Sequence, residues 1–170
     1  MAAARSAALQ PDVVIESPLW DAEPQAEATV RAAVAGAAAA LPQGVRGELA
    51  IMLGDDAAIR VLNRDWRGQD KATNVLSFPA PADVPGGELP FLGDIAIAYE
   101  TLAREAGDEG KPVLHHLAHL VIHGVLHLLG YDHESDEEAE TMEGLERTIL
   151  ARLDIPDPYA VHDAEHERHA

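Results

Sequence analysis

The chain has no cysteine. Disulfides are excluded, and so are the thiolate-rich sites that hold most structural zinc. Aromatic residues are few, two Trp, three Tyr and two Phe, so a core must be aliphatic, built on Leu, Val, Ile and Ala. Basic residues are scarce as well: 12 Lys and Arg stand against 30 Asp and Glu, a net charge of −18. A polyanion repels nucleic acid at long range. That excludes a general, non-specific RNA binder and gives no reason to expect DNA as a partner. Any RNA contact must be local, at a patch where the sign reverses. No apolar run approaches the roughly 20 residues that cross a bilayer, so no membrane partner is expected. The opening M-A-A-A-R-S-A-A-L-Q-P-D is too weak for a secretory signal, and with zero Cys it predicts a cytoplasmic protein. At 170 residues, one domain with one sizeable core is expected.

What the chain does have is histidine, concentrated in H-G-V-L-H-L-L-G-Y-D-H, residues 123 to 133. His123 and His127 are four apart and share one face of a helix, where two imidazoles can pinch one small cation. Gly130, three residues on, can end that helix in a left-handed turn, after which the chain doubles back and brings in His133. Three His and an open fourth position is how catalytic zinc is held. The spacing matches the zinc-hydrolase motif H-E-x-x-H-x-x-G-x-x-H except at Gly124, which stands where peptidases carry their general-base Glu. The metal cage is present and the usual base absent, which argues against ordinary peptide hydrolysis.

The longer stretch H-L-V-I-H-G-V-L-H-L-L-G-Y-D-H, His119 to His133, resembles the hallmark of the YbeY family of bacterial endoribonucleases. Two further blocks fit in order and separation: W-R-G-Q-D-K-A-T-N-V-L-S-F-P, Trp66 to Pro79, and L-G-D-I, Leu92 to Ile95. The resemblance covers roughly residues 46 to 159. It implies a zinc-dependent, single-strand-specific ribonuclease with one Zn²⁺ per chain. Such an enzyme matures the 3′ end of the small-subunit ribosomal RNA and takes part in ribosome quality control, so its partners would be ribosomal RNA and the small subunit.

The residues sort accordingly. His123, His127 and His133 are the expected metal ligands. Arg67 is the candidate catalytic partner, because a planar guanidinium can clamp two non-bridging oxygens of a charged phosphorane. His119, one turn before His123, is grouped with it; it either supports the ligands, faces substrate or makes a half-buried polar contact. With Gly124 in place of Glu, proton removal falls to the metal, to His119 or to solvent. Arg64, Lys71 and Asn74 are candidate substrate contacts; Asn74 and Ser77 could equally bond backbone. Arg60, Arg64, Arg67 and Lys71 form the densest basic segment. His115 and His116 read as surface residues. Asp132 could orient an imidazole or cap the turn after Gly130. A rival cluster, His162, His166 and His169, lies in an acidic terminus without apolar periodicity. Three other functions remain: an atypical metallopeptidase with a carboxylate base such as Asp132 or Glu134, a non-enzymatic ribosome-assembly factor with structural zinc, and metal storage or sensing.

The periodicities predict an α+β fold, a mixed four-stranded sheet with about five helices, one of them a zincin-like metal helix. Strands are expected at Val13–Ile15, Glu48–Leu53, Val75–Phe78 and Leu92–Ala98. Helices are expected at Pro24–Leu41, Ala57–Asn63, Tyr99–Ala106 and Pro112–Leu129, with a last one capped by Ser135 and Glu138. The last carries an apolar stripe of Ala139, Met142, Leu145, Ile149 and Leu153, with Met142 as core filler. Residues 1–11 read as a disordered leader, 12–159 as a single catalytic metal-binding domain and 160–170 as a flexible His-rich tail. Ala80–Pro90 reads as a mobile loop.

Overall fold

The computed structural model describes residues 9–41, 45–81 and 89–159. Four strands, β1 (Leu9–Ile15), β2 (Gly47–Gly54), β3 (Val75–Pro79) and β4 (Phe91–Ala98), form one sheet in the order β1-β2-β4-β3. β1, β2 and β4 run parallel, and β3 pairs antiparallel with β4. Five α-helices accompany it: α1 (Ala26–Ala40), α2 (Asp56–Arg67), α3 (Tyr99–Glu109), α4 (Val113–Leu128) and α5 (Asp136–Arg152). The α+β class, the mixed sheet and the helix count are as the periodicities predict.

Alternation in β2 sends Leu49, Ile51 and Leu53 into the main core, where they meet Ile95 and Ile97 of β4. α4 packs on this face and is buried along Leu117, Val121, Ile122, Val125 and Leu126. α1 supports it with Val30, Ala33, Val34 and Ala37, a helical spacing of small side chains. The opposite sheet face is partly covered by α2, whose Ile59 packs with Leu76, Ala96 and Ala98. Among the described residues, no helix is long and apolar enough to cross a membrane.

Several boundaries differ from the expected ones. β1 starts at Leu9, where the sequence suggests a leader, because backbone pairing with β2 extends from Leu9–Gly47 to Ile15–Leu53. As an edge strand, β1 tolerates Pro11, which has no N–H to donate. Residues 1–8 of that leader, the 160–170 tail with its three His, and residues 82–88 of the expected loop lie outside the described residues. α2 runs past Asn63 to Arg67, because the terminator is Gly68 (φ +68), whose N–H bonds back to Arg64. Arg64 and Arg67 thus sit in a last helical turn, where the helix dipole favours cations. α3 likewise passes through Gly107 and ends at Gly110. Pro112 precedes α4 as its N-cap. α5 has the expected capping box: Glu138 N–H donates to Ser135 Oγ at 3.1 Å, and Ser135 N–H donates to Glu138 Oε1 at 3.2 Å. Met142 is buried in the core as expected.

Gly124 has a packing reason. A Cβ there would lie 2.9 Å from Ile95 Cδ1 and 3.2 Å from its Cγ atoms, and Ile95 is itself buried in β4. Helix propensity favours Ala over Gly by about 1 kcal/mol, whereas overpacking costs about 1–3 kcal/mol. Gly124→Ala is therefore expected to lower stability in urea unfolding, and Gly124→Glu to lower it further. A stabilised Ala variant would contradict the close helix–sheet contact.

Candidate metal centre

α4 is buried on most sides, and its half-buried stripe carries His119, His123 and His127 at successive i, i+4 positions. The helix then ends in a Schellman arrangement. Tyr131 N–H donates to Leu126 O and Gly130 N–H to His127 O, both at 3.0 Å, with Gly130 at φ +98. That reversal brings His133 back over the helix end. One ring nitrogen from each of His123, His127 and His133 lies within 4.8 Å of the others. His123 Nε2 and His127 Nε2 are 3.1 Å apart. Two imidazole nitrogens bound tetrahedrally at 2.0–2.1 Å to one zinc would be about 3.3 Å apart, so the donors present fit such an ion. Burial and the neighbouring His123 and His133 hold the His127 pKa below the usual imidazole range, which favours the neutral form a metal requires.

Glu146 of α5 is the residue the sequence reading passed over. It is 0% exposed and its carboxylate receives three side chains. His123 Nδ1 lies 2.7 Å from Oε2, His119 Nε2 lies 3.2 Å from Oε1, and the Tyr159 hydroxyl donates to Oε1. Burial alone would raise its pKa, but the bonds from His119 and His123 outweigh it and hold the carboxyl at about 2. Burial and the bond to Glu146 push the Tyr159 hydroxyl upward. A proton on His123 Nδ1 leaves Nε2 as the lone-pair atom facing His127, an assignment inferred from the bonding pattern. The signal for Glu146 was a charged residue at i+4 from Met142, on the buried side of α5. Tyr159 gave none, arriving from beyond the last helix.

Arg67 faces the same cleft. The space of about 540 Å³ is lined by Arg67, Asn74 and Ser77 on one side and by His123, His127 and His133 on the other. Arg67 Nη2 donates to the Ser77 carbonyl at 2.7 Å, and the guanidinium lies 5.5 Å from the Phe78 ring centroid. Ser77 thus contributes its backbone oxygen. The Asn74 amide is engaged internally: Nδ2 donates to Glu105 at 3.0 Å, and Oδ1 accepts from Val75 N–H at 2.7 Å. Arg64 is exposed and pairs with Asp65, while Arg60 pairs with Asp70. Lys71 is exposed and is not among the cleft-lining residues. Asp132 Oδ1 accepts from the His133 backbone N–H at 2.7 Å and stands 3.8 Å from its ring, so it fixes the turn.

His116 corrects the sequence reading. It is 5% exposed, with Nε2 2.8 Å from Glu105 Oε1. α4 has core on so much of its circumference that His116 faces α3 where a surface position was expected. Burial lowers its pKa against the pull of Glu105. His115 is half-buried.

The sequence profile of the family described as Endoribonuclease YbeY matches residues 17–154. An Endoribonuclease YbeY of Rhodopseudomonas palustris is 61% identical over 155 residues, spanning 89% of this chain and 82% of the relative. One from Bradyrhizobium diazoefficiens is 54% identical over 160 residues, spanning 91% and 87%. The solution structure of TM1509 from Thermotoga maritima shares the fold, with a TM-score of 0.54 at 24% identity over 86% of this chain and 92% of that one.

Proposed function

The chain belongs to the YbeY endoribonuclease family, and from that premise we propose that it is a zinc-dependent, single-strand-specific endoribonuclease. Its substrate would be the 3′ end of small-subunit ribosomal RNA, with a part in ribosome quality control in the cytoplasm. The observation that carries this reading is the single cleft into which three imidazoles and the Arg67 guanidinium converge. His123, His127 and His133 would hold one Zn²⁺ per chain. Bound there, a divalent ion supplies Lewis acidity at the scissile phosphate and lowers the pKa of water toward neutrality.

The remaining work falls to the chain's own groups. Arg67, anchored through Ser77 O, presents its free N–H groups to two non-bridging oxygens as charge accumulates on them. His119 is the candidate to take a proton, and its bond to Glu146 fixes the ring. Arg64 and Lys71, both exposed, would meet neighbouring phosphates. Asn74 would serve chiefly by shaping the cleft wall, given its internal bonds. The catalytic unit runs from β1 to Tyr159. The close contact of Gly124 with Ile95 weighs against the peptidase alternative, since that position leaves no room for a glutamate.

The test is cleavage of one labelled RNA, as single strand and as duplex, before and after chelation. Cutting confined to the single strand, lost with chelator and restored by zinc, is the expected result. Equal cutting of the duplex, or indifference to chelator, would contradict the proposal. Glu146 offers a second check. A carboxylate that orients a metal-ligating imidazole is typically worth about 10–100-fold in metal affinity, so Glu146→Gln should weaken zinc binding by that factor in chelator competition. Unchanged affinity would remove Glu146 from the metal's support.

A further inference from the structure

The second sheet face carries a groove of about 860 Å³ that the reaction described above does not use. Its walls include Met52, Leu62, Trp66, Phe78 and Phe91, with the carboxylate of Asp94 among them. Trp66 is 74% exposed at the end of α2. A large apolar surface of this kind on one chain marks an interaction site more often than not. We propose that the groove is a base-binding subsite for single-stranded RNA, in which Trp66 stacks on a base and Asp94 accepts from that base's exocyclic amine. The proposal rests on the nuclease reading and deepens it.

Continuity with the cleft singles out RNA as occupant. Arg67, Ser77 and Pro79 line both the groove and the His-lined cleft. A strand with a phosphate on Arg67 therefore has an adjoining nucleotide at the groove mouth. A guanidinium for the backbone beside aromatic surface for the bases is the general pattern of single-strand recognition. The acidic groups fit the same division. Asp94 and Glu16 in the groove would repel phosphate, so what enters must be a base edge. A carboxylate accepts from an exocyclic amine. Adenine, cytosine and guanine carry one; uracil does not.

Local backbone geometry places Asp94 there. The β2–β4 register shifts so that Glu48 faces Phe91 while Leu49 faces Gly93. The extra residue, Leu92, lets Phe91 and Asp94, three apart, line the same groove. Gly93 makes this possible: its φ is +143 and an added Cβ would lie 2.3 Å from Phe78 O. The Leu-Gly-Asp-Ile block thereby gains a purpose that neither the metal nor Arg67 explains.

The test uses the full zinc-loaded chain with short adenylate and uridylate homopolymers. Trp20 is 2% exposed, so quenching of indole emission on adding RNA reads Trp66. Expected results are quenching by adenylate and a KM about tenfold higher for Trp66→Ala, in line with stacking energies per base. KM should move more than kcat, and Trp66→Phe should largely restore it. Asp94→Ala should raise KM on adenylate and leave uridylate unchanged. Circular dichroism and zinc content identify any variant that misfolds, and quenching in the wild type stands independently of the variants. If the wild type cuts RNA while Trp66 emission and both KM values stay put, the subsite is overturned and the nuclease reading survives. If those values stay put and Trp66→Ala instead dissociates an oligomer, the groove is a protein interface and the proposal falls. If the wild type neither binds nor cuts RNA, both readings fall.

Discussion

His127→Ala is expected to give a folded chain that holds no zinc and cuts single-stranded RNA at least about a thousandfold more slowly. Losing a metal's electrostatic contribution costs several kcal/mol of transition-state stabilisation, and about 4 kcal/mol is a thousandfold in rate. The fold should survive for a local reason. His127 is half-buried in the last turn of α4, and the reversal that follows is held by backbone bonds at Gly130 and Tyr131. The aliphatic contacts of α4 with β4 and α1 do not involve the ring. Circular dichroism and urea unfolding, read beside zinc content and rate, check this. A variant that collapses would mean that zinc is structural, and the reading as a non-enzymatic assembly factor would replace the enzyme.

Arg67→Ala should leave zinc content and stability nearly unchanged and lower the rate about a hundredfold or more. Removing one preorganised donor aimed at developing charge typically has that effect. Arg67 is exposed, held to the protein by one bond to Ser77 O and the Phe78 ring, so truncation opens no cavity. Arg67→Lys should recover only part of the loss, since an ammonium cannot grip two oxygens in the plane of a fork. The loss should persist at saturating RNA. Recovery of full rate at high RNA would show that Arg67 only binds.

These two residues differ in how plainly the sequence announced them. The three His sit within one contiguous stretch whose spacing is set by helix pitch and by one glycine, so local rules suffice to bring them together. Arg67 gave no local signal of its own beyond a basic run, and its place opposite the His came through the family resemblance. Glu146 was hidden because it contacts His123 from 23 residues away, across the packing of two helices, and its neighbours made α5 look like an ordinary apolar stripe. His116 was misplaced for the opposite reason: periodicity shows which positions share a face but not how many faces are covered. The strands were legible as alternating or β-branched runs. The early start of β1 was not, because edge pairing depends on backbone geometry that side chains do not disclose. Gly124 could be seen to lack the peptidase carboxylate, but only the contact with Ile95 gives the reason.

The most direct measurement is the zinc-edge X-ray absorption spectrum of the full chain loaded with one equivalent of metal, recorded alongside His127→Ala. Three imidazole nitrogens at about 2.0–2.1 Å with one further light-atom ligand exchangeable with solvent, and loss of this pattern in the variant, is the expected outcome. Four protein donors around the ion, or a spectrum that the variant leaves unchanged, would contradict a reactive metal held by His123, His127 and His133.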